Sequence, residues 1–258
     1  MLPAVHNTVD RRDAIVRLIN QNGKIRVEEL SARFGVSRVT IRNDLNYLES
    51  KGLIHRVYGG ALVWDFVAYD SALSEKARLH VEEKRRTGAK AAEMIFEGDS
   101  IIINSGTTTG EIARYIKNRK DLTVMTNAVN IATELASSPH IAVVLTGGML
   151  RDNSYSLVGP EAEATLREFY FDKLFLGVDG FDLDVGLTTP NQLEARLNTV
   201  MIEVARETIL VTDSSKFGRK SLCRIGGLEK IDKLITDEGI SQEYLDGLAE
   251  LGIEVILV

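Results

Sequence analysis

The chain has 258 residues, 44% of them apolar and 26% charged, with a net charge of −6. That length suits one large domain or a small one beside a medium one, and the composition is that of an ordinary soluble globular protein. No run of about 18 apolar residues occurs, so no membrane span is expected, and Met1-Leu2-Pro3-Ala4-Val5-His6 lacks the regions of a signal peptide. The single cysteine, Cys223, cannot form an internal disulfide, which fits a reducing cytoplasm.

The charge is uneven. Residues 1–62 carry 10 Lys and Arg against 6 Asp and Glu, net +4, which leaves −10 for the remainder. A basic head on an acidic body suits a polyanionic partner at the head alone.

In chain order, Arg11–Gln21 has helical spacing through Ile15, Leu18 and Ile19, and Asn22-Gly23 supplies a stop. Lys24–Arg26 reads as a short strand and Glu28–Phe34 as a second helix, with Leu30 and Phe34 on one face. Gly35 makes a turn, and Ser37 caps a third helix that runs to about Glu49. Ile41, Leu45 and Leu48 form its buried stripe. The opposite face carries Val39, Asn43, Asn46 and Tyr47, flanked by Thr40 and Arg42, with Arg38 at the helix start.

Those residue types can read a major groove: Asn pairs with adenine, Arg with guanine, and Val39 suits a thymine methyl. Ser37 and Thr40 suit phosphate contacts at the helix N-terminus. His55-Arg56-Val57-Tyr58-Gly59-Gly60 reads as a wing, with Arg56 and Tyr58 toward the DNA backbone. Helix, turn, capped helix and wing in this order predict a winged helix-turn-helix over residues 8–62 that binds double-stranded operator DNA. A single head reads few base pairs, so a homodimer or homotetramer is expected.

Val36-Ser37-Arg38-Val39-Thr40-Ile41-Arg42-Asn43-Asp44-Leu45, with Leu48-Glu49 and Arg56-Val57-Tyr58-Gly59-Gly60-Ala61, resembles the N-terminal domain of DeoR-family bacterial repressors. Asn43 stands where that family usually has Arg or Lys. This departure is expected to alter base preference.

Residues 63–80 lack a clean period and read as a linker, with Trp64, Phe66 and Tyr69 as packing anchors. From 81 to 258 strands and helices alternate. Strands are expected at Ser100–Asn104, Leu122–Met125, Ile141–Leu145, Lys173–Val178, Thr208–Val211, Lys233–Ile235 and Glu254–Val258. Helices are expected at Lys84–Phe96, Glu111–Lys117, Asn130–Ser137, Glu161–Phe169, Leu193–Arg206 and Ser241–Leu251. Continuous apolar strands between helices predict a mainly parallel α/β sheet covered on both faces. Ligands of such sheets bind outside the strand carboxyl ends.

Those ends supply the candidate effector residues. Ser105-Gly106-Thr107-Thr108-Thr109-Gly110 lies between a strand and a helix, where small residues expose backbone N–H groups to an anion; a capped turn is the plainer alternative. Asn104, Asn127, Gly147, Gly148, Arg151, Asp179, Glu194 and Lys216 follow at successive strand ends. Together they suit a phosphorylated, polyhydroxylated molecule: N–H groups and cations for phosphate, Asp and Asn for hydroxyls.

Asn104-Ser105-Gly106-Thr107-Thr108, Thr126-Asn127, Gly147-Gly148, Gly177-Val178-Asp179-Gly180 and Asp213-Ser214-Ser215-Lys216-Phe217 resemble the sensor domain of the same family. Asn104 replaces its usual Asp, removing a negative charge beside the presumed phosphate loop. The resemblance implies a sensor fold like ribose-5-phosphate isomerase, a phosphorylated sugar as inducer and an oligomeric repressor. The surroundings of Glu194-Ala195-Arg196-Leu197-Asn198 most resemble repressors of N-acetylgalactosamine or galactosamine operons, with sugar-alcohol operons, to which related members answer, as the alternative.

The rival reading is a sugar-phosphate isomerase with a DNA-binding head, for which Asp179, Glu194 and Lys216 offer possible groups. Val178-Asp179-Gly180-Phe181-Asp182 lacks the glutamate that an isomerase would be expected to carry there, so no catalytic residue and no cofactor are expected. His6, His55, His80 and His140 are scattered, so no metal site is expected either.

Overall fold

The computed structural model describes residues 8–22, 24–50, 54–57, 60–62 and 70–258. The chain divides into two compact units, 1–67 and 68–258.

In the first unit α1 (Thr8–Asn22), β1 (Lys24–Arg26), α2 (Val27–Phe34), α3 (Arg38–Ser50), β2 (His55–Val57) and β3 (Gly60–Leu62) follow in order. Ile15, Ile19, Leu30, Ile41 and Leu45 are fully buried at its centre. Their i, i+3 and i+4 spacing gives each helix one apolar stripe, and burying those stripes against one another holds the three helices together. Gly35 ends α2 at φ 63°, a left-handed conformation that glycine takes cheaply. The hydroxyl of Ser37 accepts from the Thr40 amide at 3.1 Å, capping α3 as expected. β3 pairs antiparallel with both β1 and β2, so the three strands form one small sheet.

The second unit begins earlier than expected. Residues 70–80 belong to it, and four of them form α4 (Leu73–Lys76). The lack of periodicity there predicts a linker. Polar anchors, described below, hold the segment in place of an apolar stripe. Trp64, Phe66 and Tyr69 lie outside the described residues.

Beyond α4, α5 (Val81–Glu93), β4 (Ser100–Ile103), α6 (Thr107–Ile116), β5 (Leu122–Thr126), α7 (Val129–Leu135) and β6 (Ile141–Leu145) alternate. A hairpin, β7 (Met149–Arg151) and β8 (Ser156–Val158), leads to α8 (Pro160–Arg167) and β9 (Phe171–Leu176). Next come β10 (Gly180–Asp182), β11 (Gly186–Thr189), α9 (Gln192–Val204) and β12 (Ala205–Val211). β13 (Cys223–Gly226), β14 (Lys233–Thr236), α10 (Gln242–Glu250) and β15 (Glu254–Leu257) complete the unit.

The main sheet has seven strands in the order β15-β14-β12-β9-β4-β5-β6, and every pair is parallel. Within β4, Ile102 packs into one core while Ile101 and Ile103 pack into the other, so both faces are covered and the strand is apolar throughout. β4 begins the sheet in sequence yet lies at its middle, beside β9. The chain order reverses there, which opens a crevice at the carboxyl ends of these two strands. β10, β11 and β13 form a separate antiparallel sheet. Among the described residues no helix is long and apolar enough to cross a membrane.

Candidate functional site

On α3 the expected division of faces is present. Ile41 and Leu45 are wholly buried, whereas Val39 is 63% exposed. Arg38, Arg42, Asn43, Asn46 and Tyr47 are also exposed, and Thr40 is half-buried. Ser37 is occupied by its cap, bonding both the amide and the hydroxyl of Thr40. Arg38 lies 3.5 Å from Glu28, an exposed pair that holds it weakly. Arg56 lies in β2, its side chain outside the description, and Tyr58 lies outside the described residues.

Asp44 went unrecognised in the sequence. It is buried and accepts from Arg11 Nε at 2.7 Å and Arg12 Nε at 2.9 Å, tying α1 to α3. The Arg12 guanidinium stacks 3.7 Å from the Tyr47 ring centroid, so the same ion pair also braces an aromatic on the exposed face. Asp44 lies i+3 from buried Ile41 and next to buried Leu45, and that placement was the signal.

In the second unit the strand ends form three linked groups. At the crossover, Asn104 Oδ1 accepts from the Gly177 amide at 2.8 Å, and its Nδ2 donates to the Gly177 carbonyl at 3.0 Å and to Asn198 Oδ1 at 3.2 Å. Asn104 is therefore buried and spent on clamping β4 to β9. A carboxylate there could not make both donations, which gives the Asn its physical reason.

The second group is the loop after β4. The Ser105 amide donates to Asn127 Oδ1 at 2.8 Å, and Asn127 reaches back to Ser105 Oγ and to the Leu157 carbonyl. α6 starts at Thr107, four residues before the expected Glu111. Thr107, Thr108 and Thr109 thus form its first turn, where the N–H groups have no intrahelical partner. The early start follows from Gly106, extended at φ 173°, whose carbonyl accepts the Gly110 amide at 3.1 Å. A Cβ on Gly106 would lie 2.8 Å from Thr109 Oγ1, a buried hydroxyl without a hydrogen-bond partner. Gly106 and Thr107 line a cleft of about 270 Å³ with Lys84 and Asn130.

The third group is a continuous ionic network. Asp179 receives Lys76 Nζ at 2.6 Å and the Thr189 hydroxyl at 3.2 Å. Glu194 Oε1 receives Ser154 and Ser156, each at 2.7 Å, and Arg151 at 2.5 Å. Arg151 also pairs with Asp70 and Ser154. Asn191 caps α9 by accepting from the Leu193 and Glu194 amides, which fixes Glu194 at the helix start. Burial alone would raise the Asp179 carboxyl, but Lys76 and Lys216 outweigh it and hold it below the usual carboxylate range.

Lys216 follows the Asp213 cap of a 3-10 turn after β12 and makes no ion pair or hydrogen bond through Nζ with the described residues. Burial pulls its pKa below the ordinary lysine value, against Asp179 and Asp213. Lys84 is buried and donates to the carbonyls of Lys76 and Leu79. Burial lowers it to about 8 despite Asp213. Gly147 and Gly148 stay apart, in an exposed turn with no hydrogen bond to Arg151 or Glu194. Gly148 has its own reason: a Cβ there would lie 2.5 Å from the Val158 carbonyl. Among the described residues no group of three or more His, Cys, Asp or Glu is placed to hold a metal.

Residues 11–66 match the family described as DeoR-like helix-turn-helix domain, and residues 79–238 match the DeoR C terminal sensor domain. The chain belongs to the DeoR family. It is a DNA-binding transcriptional regulator with a C-terminal sensor domain. A protein of Escherichia coli O157:H7 named for transcriptional repression of the aga operon is 46% identical to this DeoR-family chain over 98% of it and 95% of that relative. The glycerol-3-phosphate regulon repressor of Escherichia coli K12 is 34% identical over 88% of this chain and 90% of its own. Among solved structures, ribose 5-phosphate isomerase from Plasmodium falciparum aligns over 55% of this chain and 53% of its own, at 15% identity and a TM-score of 0.39. At that distance the likeness says nothing about ligand or reaction.

Proposed function

We propose that this DeoR-family regulator represses a carbohydrate operon and releases its operator when a phosphorylated sugar binds at the strand ends of the second unit. Lys216 carries the reading. Among the described residues it makes no ion pair, and Asp179, Glu194 and Arg151 beside it are already paired with other groups. A phosphate is the group that such a lysine and the first turn of α6 are suited to receive. Hydroxyls or an amine of the sugar would turn to Asp179, Glu194, Ser154 and Ser156. The relative named for the aga operon makes amino-sugar phosphates the first compounds to test, and the glycerol-3-phosphate relative supplies a second class.

The exposed face of α3 supports operator reading by Val39, Arg42, Asn43, Asn46 and Tyr47, with Ser37, Arg38 and Thr40 placed for phosphates. Two or four copies would engage repeated half-sites. Catalysis is disfavoured because Asp179, the best-placed base, is held below the ordinary carboxylate range, opposite to what proton abstraction near neutral pH needs.

The test is fluorescence anisotropy on DNA upstream of the chain's own gene, at fixed salt, with galactosamine 6-phosphate, N-acetylgalactosamine 6-phosphate and glycerol 3-phosphate. Release by one of them, abolished in Lys216→Met, is the expected result. Operator binding unmoved by every compound that binds the protein would overturn the reading.

A further inference from the structure

Residues 70–80 are held by two groups of the candidate effector site, Arg151 and Asp179, together with Asn153 and Lys84. Asp70 pairs with Arg151, and its carbonyl accepts from Asn153 Nδ2. The Leu73 amide donates to the Asn153 carbonyl at 2.8 Å. Lys76 takes Asp179 Oδ1 at 2.6 Å. Lys84 holds the far end through the Lys76 and Leu79 carbonyls. No side chain of this segment is buried, so little apolar area secures it once the polar ties are lost.

The ties occupy two groups that a sugar phosphate needs. Asp179 has one oxygen on Thr189 and the other on Lys76. Arg151 has Nη1 on Glu194 and Ser154 and Nη2 on Asp70. The chain thus fills the site with its own charges. The effector's phosphate, held by Lys216 and the first turn of α6, brings the sugar's hydroxyls to Arg151 and Asp179, where they compete with Asp70 and Lys76.

Resting on the sugar-phosphate reading above, we propose that Asp70 and Lys76 belong to the effector site as the ligand's competitors, and that effector binding frees residues 70–80 by taking over Arg151 and Asp179. This segment directly follows, in sequence, the stretch that leaves the DNA-binding unit. Its release is the change in the sensor nearest in sequence to the head. Linkage then requires that operator binding and effector binding weaken each other by one common factor.

The experiment is hydrogen–deuterium exchange on the full chain, read over residues 70–80, with and without a saturating sugar phosphate shown by calorimetry to bind. We expect exchange over 70–80 to rise roughly tenfold with the compound, and to rise in Lys76→Gln without it. Lys76→Gln should also bind the compound several-fold more tightly, and Lys76→Arg, which keeps the pair, should behave as the parent. Bound compound with unchanged or slower exchange over 70–80 overturns the competition and leaves the site standing. No binding of any of the three compounds, in parent and Lys76→Gln alike, overturns the site reading and this inference together.

Discussion

On α3, Val39, Arg42 and Asn43 stand in solvent, whereas at the strand ends Arg151, Glu194, Asp179 and Lys76 are already bonded to one another. Both surfaces are polar and both await a partner, but the first offers open groups and the second matched ones. A rigid helix face that meets DNA needs only complementary geometry. A sensor must change when it binds, and a network that satisfies itself is a state from which change is possible, because each new contact costs an old one.

Four measurements bear on that contrast. The largest effect is expected at the brace beneath the open face. Asp44→Ala leaves Arg11 and Arg12 without their shared carboxylate, and loss of one partner from a buried ion cluster costs about 3–5 kcal/mol. Urea unfolding followed on the first unit should show it, with operator binding lost in parallel; an unchanged midpoint would make the face independent of its brace.

The next effect is a pH dependence in the second unit. Lys84 holds its proton less tightly when folded, at about 8, than at the ordinary 10.5. Between those values the unfolded chain binds more protons, so stability rises with pH relative to Lys84→Met, by up to about 3 kcal/mol. Parallel urea titrations of the two proteins from pH 7 to 10.5 would detect this, and a constant difference would mean that Lys84 keeps its ordinary proton affinity in the folded state.

Third, Lys216→Met should weaken sugar-phosphate binding by roughly 1.5–3 kcal/mol, the worth of a hydrogen bond to a charged group. Calorimetry measures that loss directly, and operator affinity without effector should not move. Smallest is Ser37→Ala, which removes the α3 cap and costs about 1 kcal/mol of stability. A larger loss in operator affinity than in stability would assign Ser37 a direct phosphate contact as well.

The regular elements were legible because their signals are local. Ile101-Ile102-Ile103 could only be a buried strand, and Ile41, Leu45 and Leu48 could only be one stripe of a helix. The start of α6 was misplaced because Thr107-Thr108-Thr109 has low helix propensity, yet the buried Thr108 and Thr109 are fixed there by packing. β7, β8, β10, β11 and β13 went unseen, since three or four residues such as Met149-Leu150-Arg151 carry no measurable period. The candidate residues at strand ends were located through the rule for parallel sheets. What spent them was not: Asn104 on Gly177 spans 73 positions and Lys76 on Asp179 spans 103. Lys84 did leave a trace, four before Gly88 and seven before Ala91, on the buried side of α5.

The position of β4 at the centre of the sheet has a consequence in time. The DNA-binding unit has all its strands and helices once Leu62 is made, and its pairings are local. The crevice needs β9, and Lys216 lies 154 positions beyond Leu62. At about 5–20 residues per second, a growing chain folds its DNA reader roughly 8–30 seconds before it can fold its sensor. Each newly made molecule thus passes through an interval in which it has a head for the operator and no means of being told to let go.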